Sequence, residues 1–258
     1  MNPIRQKDLN AYCAGHLQNR WDDPGIAAYP EGFFTEALAL GAACSQTPQG
    51  FITPQYGYTH PAQLSDLPQI AETTPVRDVL TAIQKKDPEK TALLKVNGPY
   101  SVLASLVEPK LFYRWLGKEQ AAVRQGLETI SAGIRAYIQE AFALGVQILS
   151  LADPYANVGL LGEKHYRVFA GAPLIRLVQG VLQDNRQTGV GRIIHLCPHN
   201  SLPLEQFGLL QSETVLATAS PASYTLLLID GAAKGIPLVG HRCIYSRAAT
   251  ELIGLAFV

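Results

Sequence analysis

The stretch IIHLCPHN at residues 193–200 is the starting point for the fold, because an apolar run ends there in a histidine, a cysteine and a proline. If the run is a β-strand, the side chains of His195 and Cys197 point to the same face, since side chains alternate along a strand. An imidazole and a thiol side by side at a strand end suit a soft ion such as zinc. Cys243, in the later GHRC stretch, is the candidate for a third ligand.

Outward from this stretch, strand-like apolar runs alternate with helix-like amphipathic runs for at least five units. The alternation predicts an α/β fold with a parallel sheet built of βαβ units. We expect one domain over residues 1–258, with residues 1–74 as an irregular N-terminal region. The predicted strands are 91–96, 146–152, 193–196, 214–219 and 236–240, and the predicted helices are 76–86, 102–107, 119–144, 164–185, 202–210, 222–234 and a closing helix at 248–258.

Polar or metal-binding side chains follow these predicted strands, whereas no glycine fingerprint for a dinucleotide or a phosphate does. In parallel α/β folds the ligand site lies at the carboxyl ends of the strands. The side chains would therefore converge at one edge of an open sheet or at the mouth of a closed barrel. They are Asn97, Asp153, His195 with Cys197, Thr218 or Ser220, and His241 with Cys243.

Composition excludes several classes of partner. The chain has 258 residues with 21 basic and 21 acidic side chains, so its formal net charge is zero and gives no electrostatic signature of nucleic acid or of an anionic membrane. No apolar run reaches the roughly 18–20 residues that span a bilayer, and the polar N-terminus lacks the apolar core of a signal peptide. We therefore expect a cytoplasmic protein whose four cysteines are reduced thiols.

The three candidate ligands predict a catalytic rather than a structural zinc site. Two thiolates and one neutral imidazole balance the charge of Zn²⁺ and leave one coordination position open. Such an ion binds a substrate thiol and holds it as a thiolate at neutral pH, which suits alkyl transfer to sulfur.

The alternative is that Cys197 and Cys243 are small core residues and that His195 is a buried core histidine. The second strand-end cysteine favours the metal site. His241 is an alternative ligand or a supporting residue, and Asp153 is either a structural cap or a group that lines the site.

Four motifs, together with the long helix at 119–144, resemble the uroporphyrinogen decarboxylase superfamily, and within it the zinc-dependent methylcobamide:coenzyme M methyltransferases. The motifs are NGPYSVLA at 97–104, ADP at 152–154, HLCPHN at 195–200 and GHRC at 240–243. The resemblance implies a TIM-barrel-like (β/α)8 fold, incomplete or modified at the N-terminus because the chain is shorter than the family's usual length.

The same resemblance implies what the site does. Zinc would be held by His195, Cys197 and Cys243, with Asp153 as a catalytic residue and with Asn97, Asp153 and Asn200 as substrate-binding residues. A separate corrinoid protein would present a methylcorrinoid such as methylcobalamin, and its methyl group would pass to a zinc-bound thiol, coenzyme M or a similar acceptor.

The chain also departs from the family's pattern. Pro198-His199 replaces a glycine, and the acidic residue that the family places between the two cysteines has no clear counterpart, Glu213 being the nearest. Two other functions therefore stay open. One is a metal-free, uroporphyrinogen-decarboxylase-like lyase that acts through Asp153, and the other is a non-enzymatic protein that binds a corrinoid or a tetrapyrrole.

Overall fold

The computed structural model describes residues 25–30, 35–46 and 52–258, apart from the side chains of residues 43–46, 52–55 and 188. The predicted irregular region 1–74 lies partly outside these residues. Where it is described, it contains short strands, a short helix and two 3₁₀ turns at Pro61–Asp66 and Ile70–Glu72.

Most of the described strands form one sheet. They are β1 (Ile26–Tyr29), β4 (Thr91–Asn97), β5 (Val146–Ala152), β6 (Ile193–Leu196), β7 (Leu210–Ala222), β8 (Leu238–Gly240) and β9 (Ala249–Phe257), and they lie in the order β1-β4-β5-β6-β8-β9-β7. The first five in this order are parallel. The predicted parallel sheet is thus confirmed. A separate antiparallel pair is formed by β2 (Ala43–Gln46) and β3 (Ile52–Gln55).

Helices connect the parallel strands and cover the sheet. They are α1 (Thr35–Ala39), α2 (Thr74–Gln84), α3 (Pro99–Leu106), α4 (Pro109–Lys118), α5 (Gln120–Ala143), α6 (Val158–His165), α7 (Ala172–Thr188), α8 (Pro198–Gln206) and α9 (Tyr224–Ala233), with a π-helical turn at Tyr166–Gly171 between α6 and α7. No helix in the described part of the chain is both long and apolar enough to cross a bilayer.

The sequences of the central strands are apolar without interruption because both faces of the sheet are buried. Neighbouring residues of one strand enter different apolar clusters: Ile194 and Leu149 belong to the larger cluster, whereas Ile193 and Ile148 belong to the smaller one. A strand buried on both faces has no polar side to alternate with its apolar side.

One helix prediction is wrong, and helix α4 was not predicted. The predicted closing helix at 248–258 is wrong, because this segment is strand β9, which pairs antiparallel with both β7 and β8. A short apolar run fits a buried helix and a buried strand equally well, and pairing with two neighbours decides for the strand. Glu108-Pro109 ends α3 as expected but also begins α4, where the Glu108 side chain accepts a hydrogen bond from the Leu111 N–H at 3.0 Å.

The fold is TIM-barrel-like, but the sheet does not close among the described strands. Its two edges are β1 and β7. We expected the departure from a complete (β/α)8 barrel at the N-terminus. In the part of the chain that the structure describes, the antiparallel pair β7 and β9 modifies the sheet at its C-terminal end.

The turn between β4 and α3 is held by a residue of the neighbouring strand. The carboxylate of Asp153, directly after β5, accepts hydrogen bonds from the backbone N–H groups of Ser101 at 2.6 Å and Tyr100 at 3.3 Å. These are first-turn donors that have no partner within a helix. Gly98 lies so close to this carboxyl that an added Cβ would overlap with it.

Replacing Gly98 therefore tests this junction. We expect Gly98→Ala to reduce the free energy of unfolding by about 2–4 kcal/mol, since the new methyl group displaces the capping carboxylate. Gly117→Ala is the matched control, because nothing lies within 4 Å of its added Cβ; it should change stability by no more than about 1 kcal/mol, in the stabilising direction. Urea denaturation of both variants measures the difference, and equal stabilities would contradict the capping role.

Candidate functional site

A cavity of about 300 Å³ lies at the carboxyl ends of the parallel strands. Its lining comes from residues 95–97 of β4, from the end of β5, from Cys197 and His199 after β6, and from residues 243–245 after β8. The structure thus brings together, in one cavity, four of the five segments that the sequence places at strand ends.

Two of the three predicted zinc ligands face this cavity. Cys197 is half-buried and lies at the N-cap of α8, while Cys243 is exposed in the segment after β8. Both are free thiols. Burial raises the pKa of Cys197, the backbone N–H of His199 lowers it, and the neighbouring Cys243 raises it further. Without a cation beside it, this thiol is protonated at neutral pH.

The third predicted ligand, His195, is fully buried and already has a partner at each ring nitrogen. Its Nδ1 lies 2.9 Å from Ser150 Oγ, and its Nε2 lies 2.7 Å from the carbonyl oxygen of Arg242. A carbonyl only accepts, so Nε2 carries the hydrogen and Nδ1 accepts from the Ser150 hydroxyl. Burial lowers the pKa of His195 to about 4, which keeps the imidazole neutral.

Zinc fits these residues by donor chemistry but not by their arrangement. Two thiols and a neutral imidazole are suitable ligands, yet the imidazole binds a hydroxyl and a backbone carbonyl. Among the residues that the structure describes, no group of three or more histidine, cysteine or acidic side chains is arranged to hold a metal ion. The ligand set His195, Cys197 and Cys243 therefore stays a prediction.

Asp153 and Asn200 hold structural elements together behind the cavity. Asn200 Oδ1 accepts from the Asp153 N–H at 2.8 Å, and Asn200 Nδ2 donates to the Asp153 carbonyl at 3.1 Å. Both residues are fully buried, and neither lines the cavity. Of the alternatives for Asp153, the structure gives it the capping contact, although to the preceding helix α3. Its catalytic role, and substrate binding by either residue, stay predictions.

Asn97 does line the cavity, and its partner is a residue that the sequence did not reveal. Asn97 Nδ2 donates to Glu36 Oε2 at 3.0 Å, and its backbone N–H donates to Oε1 at 3.4 Å. Glu36 is 1% exposed, and burial raises its pKa to about 7. The available signal was a lone carboxylate inside the otherwise apolar stretch FFTEALALGAA at 33–43.

Lys95 and Tyr245 form the second feature that sequence analysis missed. The Lys95 ammonium donates a hydrogen bond to the Tyr245 hydroxyl and lies 4.9 Å from the centre of its ring. Lys95 is half-buried on β4 within an apolar run, and its charge lowers the pKa of the buried Glu36 carboxyl. The Lys95 ammonium is thus a charged group in the wall of the cavity.

The buried carboxyl of Glu36 predicts a pH dependence of stability. Its folded pKa of about 7 lies above the ordinary value of 4.5, so the folded protein binds more protons in this interval and stability falls as pH rises through it. The loss amounts to as much as about 3 kcal/mol. Glu36→Gln should remove this part of the slope. The stability of the variant relative to wild type should therefore rise between about pH 5 and pH 8.

Thermal or urea unfolding at several pH values measures this difference. Glu128→Gln, which changes an exposed carboxylate on α5, is the control and should keep the wild-type slope. A Glu36→Gln protein with an unchanged slope would contradict the raised pKa. Asp153, whose pKa burial raises to about 6, titrates in both proteins and cancels from the comparison.

Three comparisons relate the chain to known proteins. The uroporphyrinogen decarboxylase (URO-D) family model matches residues 26–217. The methylcobamide:CoM methyltransferase MtaA of Methanosarcina barkeri (strain Fusaro / DSM 804) is 23% identical over 134 residues, which are 52% of this chain and 38% of that protein. A methyltransferase from Methanosarcina mazei has a TM-score of 0.56 at 20% identity, over 70% of this chain and 53% of that one.

The matched parts differ in how much of each protein they cover. The chain spans about half the length of the solved structure and less than half of the curated relative. The structural likeness supports the TIM-barrel-like fold. The family model, in contrast, covers well over half of the chain, and the chain is therefore a member of the uroporphyrinogen decarboxylase family.

Proposed function

We propose that this chain is a corrinoid-dependent methyltransferase that moves a methyl group from a methylcorrinoid to a small thiol bound in the cavity. The observation that carries the proposal is the pair of thiols, Cys197 and Cys243, in one cavity at the carboxyl ends of the parallel strands. Family membership and the printed activity of the matched relatives support it. In this proposal the chain acts as a single domain in the cytoplasm, and a corrinoid protein is its partner.

Zinc belongs to the proposal as the ion that the two thiols would hold. His195 would join them only if one ring nitrogen exchanged its present partner, the Ser150 hydroxyl or the Arg242 carbonyl, for the metal. When bound, zinc would lower the pKa of an acceptor thiol, so that the acceptor is a thiolate at neutral pH.

The chain's own residues would bind and orient the acceptor. The cavity has the volume of a small molecule rather than a large one, and most of its wall is apolar. In the transfer the acceptor thiol releases its proton to solvent, its sulfur forms the bond to the methyl carbon, and the corrinoid keeps both electrons of the broken cobalt–carbon bond. Positioning of the two reactants is the protein's main contribution.

A metal-free lyase acting through Asp153 has less support. The Asp153 carboxylate accepts two backbone N–H groups of α3 and does not line the cavity. Such a lyase would be indifferent to chelators, which separates it from the zinc proposal.

Zinc content and methyl transfer test the proposal together. We expect about one zinc ion per reduced wild-type chain and transfer from methylcobalamin to a thiol such as 2-mercaptoethanesulfonate or homocysteine. Cys197→Ser and Cys243→Ser should lose both, because a serine hydroxyl is a poor ligand for this ion. Elemental analysis and the absorbance change of methylcobalamin are the measurements.

Three outcomes have separate meanings in this experiment. Full zinc content and full transfer in Cys243→Ser would overturn the proposed site. Binding of methylcobalamin without turnover, with any thiol tried, would favour the non-enzymatic alternative. His195→Gln reports whether the imidazole is a ligand: retained zinc would show that His195 acts through the Arg242 carbonyl alone.

The Lys95 ammonium in the cavity wall predicts a preference among acceptors. A negatively charged group on the acceptor would bind the Lys95 ammonium, so Lys95→Met should raise the KM for 2-mercaptoethanesulfonate about 10-fold, the size expected for one charged hydrogen bond. The KM for the neutral 2-mercaptoethanol should change little. Lys110→Met, at an exposed position of α4, is the control. An equal effect on both thiols would contradict charge recognition by Lys95.

A further inference from the structure

His241 has an unusual backbone conformation directly before the segment that carries Cys243. Its φ of 65° is the one positive value among the non-glycine residues that the structure describes. A residue with a Cβ adopts this conformation only where its surroundings hold it there. The contacts that hold His241 in this conformation therefore also influence the position of the neighbouring Cys243 thiol.

Two side chains of α8 contact His241. Ser201 Oγ accepts a hydrogen bond from the His241 backbone N–H at 3.0 Å and lies 2.9 Å from the ring Nδ1. Glu205 Oε2 lies 2.9 Å from the ring Nε2. Ser201 and Glu205 are four residues apart, so they project from the same side of the helix.

The helix that contacts His241 is the one that Cys197 begins. Cys197 is its N-cap, and Ser201 follows one turn later, fully buried. Gly240, beside His241, packs so closely on this helix that an added Cβ would be 2.9 Å from Ser201 Cβ. From the other side, His195 holds the carbonyl of Arg242 at 2.7 Å. The Cys243 segment is thus held to the element that carries Cys197.

We propose that His241 is a positioning residue, which fixes the separation of the two cavity thiols through its contacts with Ser201 and Glu205. The imidazole, and not the backbone conformation alone, carries this role. The inference concerns the free thiols and does not require that the protein transfer a methyl group.

A trivalent arsenical measures the separation directly. Phenylarsine oxide forms two As–S bonds when two thiols lie close together and releases its oxygen as water, with no change in oxidation state. The experiment uses the full chain with Cys13→Ser and Cys44→Ser, so that two of the four cysteines remain. In this background we expect tight binding of one arsenical, which Cys197→Ser or Cys243→Ser abolishes.

Three variants then distinguish the contribution of the imidazole from that of the backbone conformation. His241→Gly relieves the positive φ and keeps the backbone N–H bond to Ser201, but it removes the two imidazole contacts. It should bind the arsenical about 10-fold or more weakly, because the second thiol loses its fixed position. Ser201→Ala should weaken binding in the same direction. His241→Asn should restore most of the affinity, since asparagine tolerates this conformation and can accept from Ser201.

Two further readouts exclude a general loss of structure. The unfolding midpoint and the single-site alkylation rate of each thiol should be close to the parent's in His241→Asn and in Ser201→Ala. Undiminished arsenical binding in both His241→Gly and Ser201→Ala would overturn the proposal. Failure of the parent protein itself to bind the arsenical would also overturn it, because the thiols would not be held at a bridging separation.

Discussion

The hydrogen bonds around Asp153 are the constraint on which the site depends. One residue uses its carboxylate to accept the first free N–H groups of α3 and its backbone to pair with the side chain of Asn200 on α8. The end of β5 is thereby joined to the helices that follow β4 and β6. Because all these groups are buried, leaving any of them unpaired costs more than the hydrogen bond itself contributes.

Four of the five predicted strand ends converge on one cavity, whereas the fifth, with Thr218 and Ser220, lies on the antiparallel edge strand β7. Asn97 and Cys197 follow apolar runs whose length and composition suit buried parallel strands, and they line one cavity. The C-terminal segment was not predictable in the same way, because residues 249–257 fit two conformations locally and their pairing with β7 and β8 lies outside local sequence. The hydrogen-bond partners of His195 were not predictable either, since they are a serine on a neighbouring strand and a backbone carbonyl.

Glu36 and Lys95 were not identified from the sequence, and the physical reason is the same for both. Glu36 and Lys95 are charged side chains within apolar stretches, and each is stabilised by a partner far away in the chain: Asn97 for Glu36 and Tyr245 for Lys95. Groups of chemically similar residues at regular spacing can be recognised in a sequence. A single buried charge becomes meaningful only when the fold supplies the group that compensates it.

The open sheet leaves one long strand at its edge, and this has a consequence for association. An edge strand offers unpaired backbone groups to other chains. In β7 the pairing with β9 shifts register twice, between Thr214 and Leu216 and between Ala217 and Ala222. Such irregularities twist an edge and interrupt the straight row of donors and acceptors that another strand would need. The same strand exposes Glu213 as a further obstacle. Among the strands that the structure describes, the β7 edge of the sheet is thus poorly suited to pairing with a strand of another chain.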